Sequence, residues 1–214
     1  MRLNFKKTLN IFSAVFFVVL GLLMTGHAHS APKTILVLGD SLSAEYGLTR
    51  GTGWVALLEK KLQEKKINAR VINASISGET SSGGKTRLGA LLKIHQPNIV
   101  IIELGGNDAL RGLDLNVSEQ NFRDMLNMTK ASKAKPLLVA MQIPPNYGKA
   151  YTDKFFSMYA KLAKETQSAL VPFFLKGVAD KPEMFQPDRI HLTAEAHPTM
   201  LENVWGPLQK LLRK

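Results

Sequence analysis

Ile35-Leu36-Val37-Leu38-Gly39-Asp40-Ser41-Leu42-Ser43 is the stretch on which the reading of the fold turns. Four apolar residues in unbroken succession, with no polar alternation, suit a strand buried on both faces. The run then breaks into Gly39-Asp40-Ser41, residue types of a turn. Four more runs of the same character follow: Arg70 to Ala74, Ile99 to Leu104, Leu137 to Ile143, and Leu170 to Phe174. Between them apolar residues take helical spacing, as in Leu88, Leu91 and Leu92, then Phe122, Met125 and Leu126, then Phe155, Tyr159 and Leu162. Pro97 and Pro136 mark boundaries, and Thr152 with Asp153 suits a helix start. Leu201, Val204, Leu208 and Leu211 predict a last helix, which Gly206-Pro207 should kink or interrupt. Strand and helix therefore alternate. The pattern predicts an α/β domain with a five-stranded parallel sheet, doubly wound in three layers by right-handed crossovers.

This domain is expected to occupy residues 31–214, because residues 1–30 read as a signal peptide. Arg2, Lys6 and Lys7 make a basic start, and no acidic residue occurs before Asp40. The apolar run from Ile11 to Met24 has the length of a secretory core of about 7 to 15 residues, short of the roughly 18 needed to span a membrane. Ala28 and Ser30 flank His29 with the small-x-small spacing of a cleavage site, which places the mature start at Ala31; an uncleaved amino-terminal anchor, with the apolar run stretched to Gly26, is the alternative. A periplasmic or secreted location follows.

The chain has no cysteine, so in an oxidising compartment it must be held by packing alone, and thiol chemistry is excluded. The formal net charge is +11, of which three charges lie in the leader, leaving +8 for the rest. The lysines are scattered in pairs such as Lys60-Lys61 and Lys65-Lys66, near acidic residues and without an aromatic stripe. That distribution is a solvated surface rather than a nucleic-acid footprint, and it leaves room for weak contact with anionic lipid headgroups. No linker or repeat divides the chain, and a monomer is expected.

Ligands of doubly wound sheets bind beyond the carboxyl ends of the strands, and there the polar clusters lie. They are Gly39-Asp40-Ser41-Leu42-Ser43, then Ser75-Ile76-Ser77-Gly78-Glu79-Thr80, then Gly105-Gly106-Asn107-Asp108, and late in the chain Asp188-Arg189-Ile190-His191. Any one could be an ordinary turn or surface pair. No H-E-x-x-H or comparable spacing supports a metal, and no cofactor is expected. Gly78 to Thr86 resembles a phosphate-binding loop but misses its spacing by one residue. His95 falls on the apolar face of a helix as a packed or capping residue. His197 lacks an acid three positions before it, and Pro198 beside it suits a helix start.

Taken in order, the four clusters resemble the blocks of the SGNH (GDSL-type) hydrolase family, matched here by Ser41, Gly78, Asn107 and His191. The segments NASISGET (73–80), TRLGALLK (86–93) with His95-Gln96-Pro97, ELGGNDALRG (103–112) and PPNYGKAY (144–151) are similar to its bacterial periplasmic acyl-CoA thioesterase and lysophospholipase branch. The resemblance spans essentially the whole chain after the leader and implies a flavodoxin-like sandwich. One departure is clear. The branch usually has Asp-Gly-Ile-His-Pro where this chain has Asp188-Arg189-Ile190-His191-Leu192, which bears on the rigidity and charge of the histidine loop.

A serine hydroxyl needs a base to take its proton, and that base needs an acid to hold its tautomer and stabilise the imidazolium. Ser41, His191 and Asp188 are the candidates. The resemblance implies an oxyanion hole made by the backbone N–H groups of Ser41 and Gly78 and the side-chain amide of Asn107. Asp40 and Asp108 are expected to organise their loops. The nucleophile elbow G-x-S-x-G is absent, since Ser43 follows where glycine would stand. The implied substrates are small-molecule acyl esters and thioesters: acyl thioesters, lysophospholipids, and aryl or alkyl esters. Leu110, Arg111, Leu113, Pro144, Asn146 and Tyr147 occupy the loops that would receive them, with Arg111 and Tyr147 polar enough to touch a headgroup. A carbohydrate or peptidoglycan O-deacetylase and a non-catalytic lipid carrier are the alternatives.

Overall fold

The computed structural model describes residues 31–213, so the leader and its cleavage site lie outside the described residues. Among the described residues five strands form one parallel sheet: β1 (Lys33–Gly39), β2 (Ala69–Asn73), β3 (Ile99–Glu103), β4 (Lys135–Val139) and β5 (Ala169–Val171). Their order is β2-β1-β3-β4-β5. β1, β3 and β4 are buried along nearly their whole length, as their unbroken apolar runs require. β2 and β5 are the edges, and the expectation of burial on both faces fails there. Arg70 and Asn73 of β2 are exposed, and only Val171 of β5 is buried.

Two helix layers cover the sheet. On one face α1 (Trp54–Glu64) packs against α6 (His197–Arg213); on the other, α2 (Ser81–His95) packs against α4 (Leu115–Ala131), which in turn meets α5 (Lys149–Glu165). A short helix, α3 (Gly106–Leu110), follows β3 directly. The core is a continuous cluster of strand residues such as Leu36, Ile101 and Leu138 with Trp54, Phe122, Phe155 and Leu208 from the helices.

Some expected boundaries shift. α5 begins at Lys149, so Thr152 sits in its first turn with its hydroxyl on the Gly148 and Lys149 carbonyls rather than at the cap. Pro136 is the second residue of β4, not a residue ahead of it. α6 runs on through Pro207 without interruption. Buried Val204, Trp205 and Leu208 on either side of the proline anchor that helix to the core and offset the missing hydrogen bond.

The order of the sheet positions the site. From β1 the chain turns one way to β2 and returns across β1 to β3, so the loops after β1 and β3 diverge and leave a crevice between them. Gly39 is in register with Glu103 at that point.

Candidate active site

At the end of β1 the chain enters consecutive turns from Ser41 to Gly47, with Ser43 and Ala44 donating their N–H groups to the Asp40 carbonyl. Asp40 Oδ1 accepts from Leu42 N–H at 3.1 Å, as expected of a loop-organising residue, and Oδ2 accepts from Asn107 Nδ2 at 3.2 Å. Burial pushes the Asp40 carboxyl up to about 6, opposed by those two hydrogen bonds. Beneath it lies Glu103, wholly buried, which the sequence reading did not single out. Its Oε2 accepts from the Ser43 hydroxyl at 2.6 Å and faces the Asp40 N–H at 3.4 Å; Ser43 Oγ accepts in turn from Trp54 Nε1 at 3.1 Å. Burial, reinforced by the nearby Asp40, raises the Glu103 carboxyl well above the usual range. A Cβ on Gly39 would lie 2.7 Å from Ser43 Oγ and 2.8 Å from Glu103 Oε2, so this close approach demands glycine.

Ser41 Oγ lies 2.9 Å from His191 Nε2, and His191 Nδ1 lies 2.6 Å from Asp188 Oδ2. The three-residue spacing works because one carboxylate serves two purposes. Asp188 Oδ1 accepts the N–H groups of Ile190 and His191 at 2.9 and 3.0 Å, winding its own loop into an Asx turn, while Oδ2 remains for the imidazole. Partial burial pushes the Asp188 carboxyl up, but hydrogen bonds from the imidazole and the two N–H groups outweigh it and hold it at about 2. Gln186 ties this loop to the turn after β1 through the Tyr46 and Leu192 carbonyls, both at 2.9 Å, and the Tyr46 ring packs on His191 at 4.2 Å between centroids. Nothing in the spacing of Tyr46 or Gln186 marks them; only the packing does.

Arg189 has φ +57°, the left-handed region that favours glycine, and its N–H donates to the Gln186 carbonyl to close the turn. This is a backbone reason for the glycine common at that place in the resembling branch. Relief of the left-handed conformation, worth about 1–2 kcal/mol, should outweigh the entropy cost of glycine, about 0.5–1 kcal/mol. Arg189→Gly, with a net gain of about 0.5–1 kcal/mol, is therefore expected to raise Tm by about 1–4 °C in thermal unfolding.

Gly78, after β2, has φ +79° and leads into Thr80, whose hydroxyl caps α2 by accepting the Gly83 N–H. Asn107 opens α3 beside Asp108, which is buried and accepts from Ser81 N–H and from the Ser81 and Ser118 hydroxyls. The second cluster is thereby locked against the third. Arg111 Nη2 reaches the Gly78 carbonyl at 3.1 Å and Asn107 Oδ1 at 3.2 Å. Tyr147 donates to the Leu110 carbonyl at 3.3 Å, which draws the loops after β3 and β4 together. Leu113, Pro144, Asn146 and Tyr147 are exposed along them, and Leu110 is half-buried.

His197 lies elsewhere. It is buried at the start of α6, its Nδ1 accepts the Trp54 N–H at 3.0 Å, and burial pushes it down to about 4. The accepting nitrogen must be unprotonated, which fits a neutral structural histidine. His95, half-buried, ends α2.

Comparison with known proteins agrees with this architecture. Residues 37–198 match the model of the GDSL-like Lipase/Acylhydrolase family. Esterase TesA of Pseudomonas aeruginosa is 49% identical over 86% of this chain and 91% of its own. The Thioesterase 1/protease 1/lysophospholipase L1 of Escherichia coli is 44% identical over 98% of both chains. The psychrotrophic esterase EstA from Pseudoalteromonas sp., solved inhibited by monoethylphosphonate, superposes with a TM-score of 0.81 at 39% identity over 85% of this chain and all of that one. With its catalytic-type clusters gathered at the crevice of a doubly wound sheet, this chain belongs to the GDSL-like lipase/acylhydrolase family and is a serine hydrolase of ester and thioester bonds.

Proposed function

We propose that hydrolysis proceeds through an acyl-serine intermediate on Ser41, with His191 as base and Asp188 as its orienting acid. The observation that carries this is the unbroken line from Ser41 Oγ through His191 to Asp188, at 2.9 and 2.6 Å. Ser41 Oγ attacks the acyl carbonyl as its proton passes to His191 Nε2. The oxyanion is met by the N–H groups of Ser41 and Gly78 and by Asn107 Nδ2. The imidazolium then protonates the leaving alcohol or thiol, and a water activated by the same imidazole releases the acid.

The substrates are acyl thioesters, lysophospholipids and aryl or alkyl esters, in keeping with the names of the relatives. Exposed Leu113 and Tyr147 on the loops after β3 and β4 support an apolar path for the acyl chain. A fluorophosphonate probe should label Ser41 alone, and intact-mass measurement should find no adduct on Ser41→Ala. Labelling that persists in that variant refutes the assignment.

The protein acts as an exported monomer. The basic start, the apolar run and Ala28-x-Ser30 support removal of residues 1–30. Amino-terminal sequencing of periplasmic protein should read Ala-Pro-Lys-Thr, whereas full-length chain in the membrane fraction would contradict export.

A further inference from the structure

The side chain of Asn107 is held from two sides. Its Nδ2 donates to Asp40 Oδ2 at 3.2 Å, and its Oδ1 accepts from Arg111 Nη2 at 3.2 Å. The opposite amide orientation would set an oxygen against a carboxylate and an NH2 against a guanidinium, so the two charged neighbours select one orientation. In that orientation one Nδ2 hydrogen is used by Asp40 and the other is left for a ligand. The same Arg111 nitrogen also donates to the Gly78 carbonyl at 3.1 Å. One guanidinium thus bridges the two loops that supply the second and third oxyanion donors, which are 29 positions apart in the sequence.

We infer that Arg111 is a positioning residue of the oxyanion hole, one that acts on the reaction through Asn107 and Gly78 rather than by binding the headgroup or leaving group of the substrate. The inference rests on the reading of Asn107 as an oxyanion donor given above. Three features favour it. First, Arg111 is the C-cap residue of α3, and its backbone N–H is bonded to the Asn107 carbonyl at 3.2 Å, so its side chain starts from a point fixed relative to the asparagine. Second, the short helix and the turn after it are braced from outside: the single Tyr151 hydroxyl sits between the Ala109 and Leu113 carbonyls at 3.3 and 3.1 Å, and Tyr147 donates to that of Leu110. Third, Gly78 adopts φ +79°, which favours glycine, and its Cβ position would lie in ordinary contact with Arg111 Nη2 at 3.4 Å, so the guanidinium packs directly over this loop.

The chemical consequence concerns when the donors are ordered. Charge on the carbonyl oxygen develops only in the transition state, and donors already aimed there need no reorganisation at that moment. Without Arg111 the Asn107 amide is held from one side only, by Asp40, and the Gly78 loop loses its tie to α3. Ground-state binding of a neutral ester hardly depends on either, so the loss should fall on kcat. A headgroup contact would behave in the opposite way, raising KM for charged substrates.

The test is a double-mutant cycle on p-nitrophenyl butyrate, a neutral ester, with Arg111→Ala, Asn107→Ala and the double variant, and with Tm recorded for each. Arg111→Ala is expected to lower kcat about tenfold or more with KM within about twofold of the parent. In the Asn107→Ala background the same change should cost clearly less than it does alone, because its main target is gone. Arg111→Lys, which keeps the charge but not the planar fork, should show most of the kcat loss, and it stands in for the alanine variant should that fail to fold. The inference is overturned if kcat is retained, if the defect appears in KM, or if the two single losses multiply in full. An Asn107→Ala variant with undiminished kcat would instead remove the oxyanion assignment itself, a separate failure.

Discussion

Replacing His191 with alanine is expected to lower kcat by about four to six orders of magnitude, because serine, histidine and acid act as one unit in which loss of the base leaves only binding and the oxyanion hole. The decisive contrast is His197→Ala, which should leave kcat within a few-fold of the parent. Its Nδ1 accepts the N–H of Trp54 at the start of α1, so its removal strands a buried donor and opens a void, at a cost of about 1–3 kcal/mol of stability. The two histidines should therefore separate: one variant is inactive and stable, the other active and less stable. Steady-state kinetics and thermal unfolding of both read this directly. If the His197 variant were as inactive as the His191 variant while still folded, the choice of base would be wrong.

Asp188→Asn is expected to reduce kcat by about three to four orders of magnitude. The structure makes this substitution a sharp probe, since the two oxygens of Asp188 perform different tasks. An asparagine keeps an acceptor for the N–H groups of Ile190 and His191, so the loop should hold its shape. In place of Oδ2 it presents an NH2, which cannot accept the Nδ1 proton. The imidazole is then driven to the tautomer whose Nε2 carries the hydrogen and cannot act as base toward Ser41. The imidazolium formed in the transition state also loses its counter-charge. A circular dichroism spectrum and Tm close to the parent, together with the loss in kcat, would separate the electrostatic task from the structural one. Retention of a tenth or more of the activity would show that Asp188 does not orient the base.

Asp40 and Glu103 illustrate a different kind of legibility. Asp40 is conspicuous, lying between Gly39 and Ser41, and its expected part in organising the loop is what its bond to the Leu42 N–H performs. Glu103 is the one polar residue in the run Ile99 to Leu104 and looks like the residue that closes a strand. In the fold it lies wholly buried under the turn that carries Ser41, where Ser43 and Trp54 extend its hydrogen bonds across to α1. Both carboxyls are raised, so each binds a proton more tightly folded than unfolded. Their contribution to stability is greatest at low pH and declines as pH rises through about 6 for Asp40. Asp188 has the opposite sign: its contribution is present at neutral pH and is lost as pH falls toward about 2.

By itself the sequence determined the five strands, the alternation that makes the sheet parallel, and the places where polar clusters interrupt apolar runs. Burial on two faces, helical period and turn chemistry are written in neighbouring residues, and Ile35 to Leu38 or Ile99 to Leu104, short and closed by glycine turns, suit buried strands better than helices. It also supplied the pairing of Asp188 with His191, since an Asx turn spans only three residues. What only the tertiary structure decided was which clusters meet and how closely. The order β2-β1-β3-β4-β5 sets β1 between β2 and β3, brings Glu103 beneath Gly39, and lets a loop 150 residues away place His191 against Ser41. It exposed β2 and β5 as edges, laid the exposed Arg111 across Asn107 and Gly78, and gave Arg189 a backbone conformation that suits glycine. Periodicity encodes that a residue is buried but not against what, and a hydrogen bond between side chains far apart along the chain exists only once packing has brought their backbones into fixed positions.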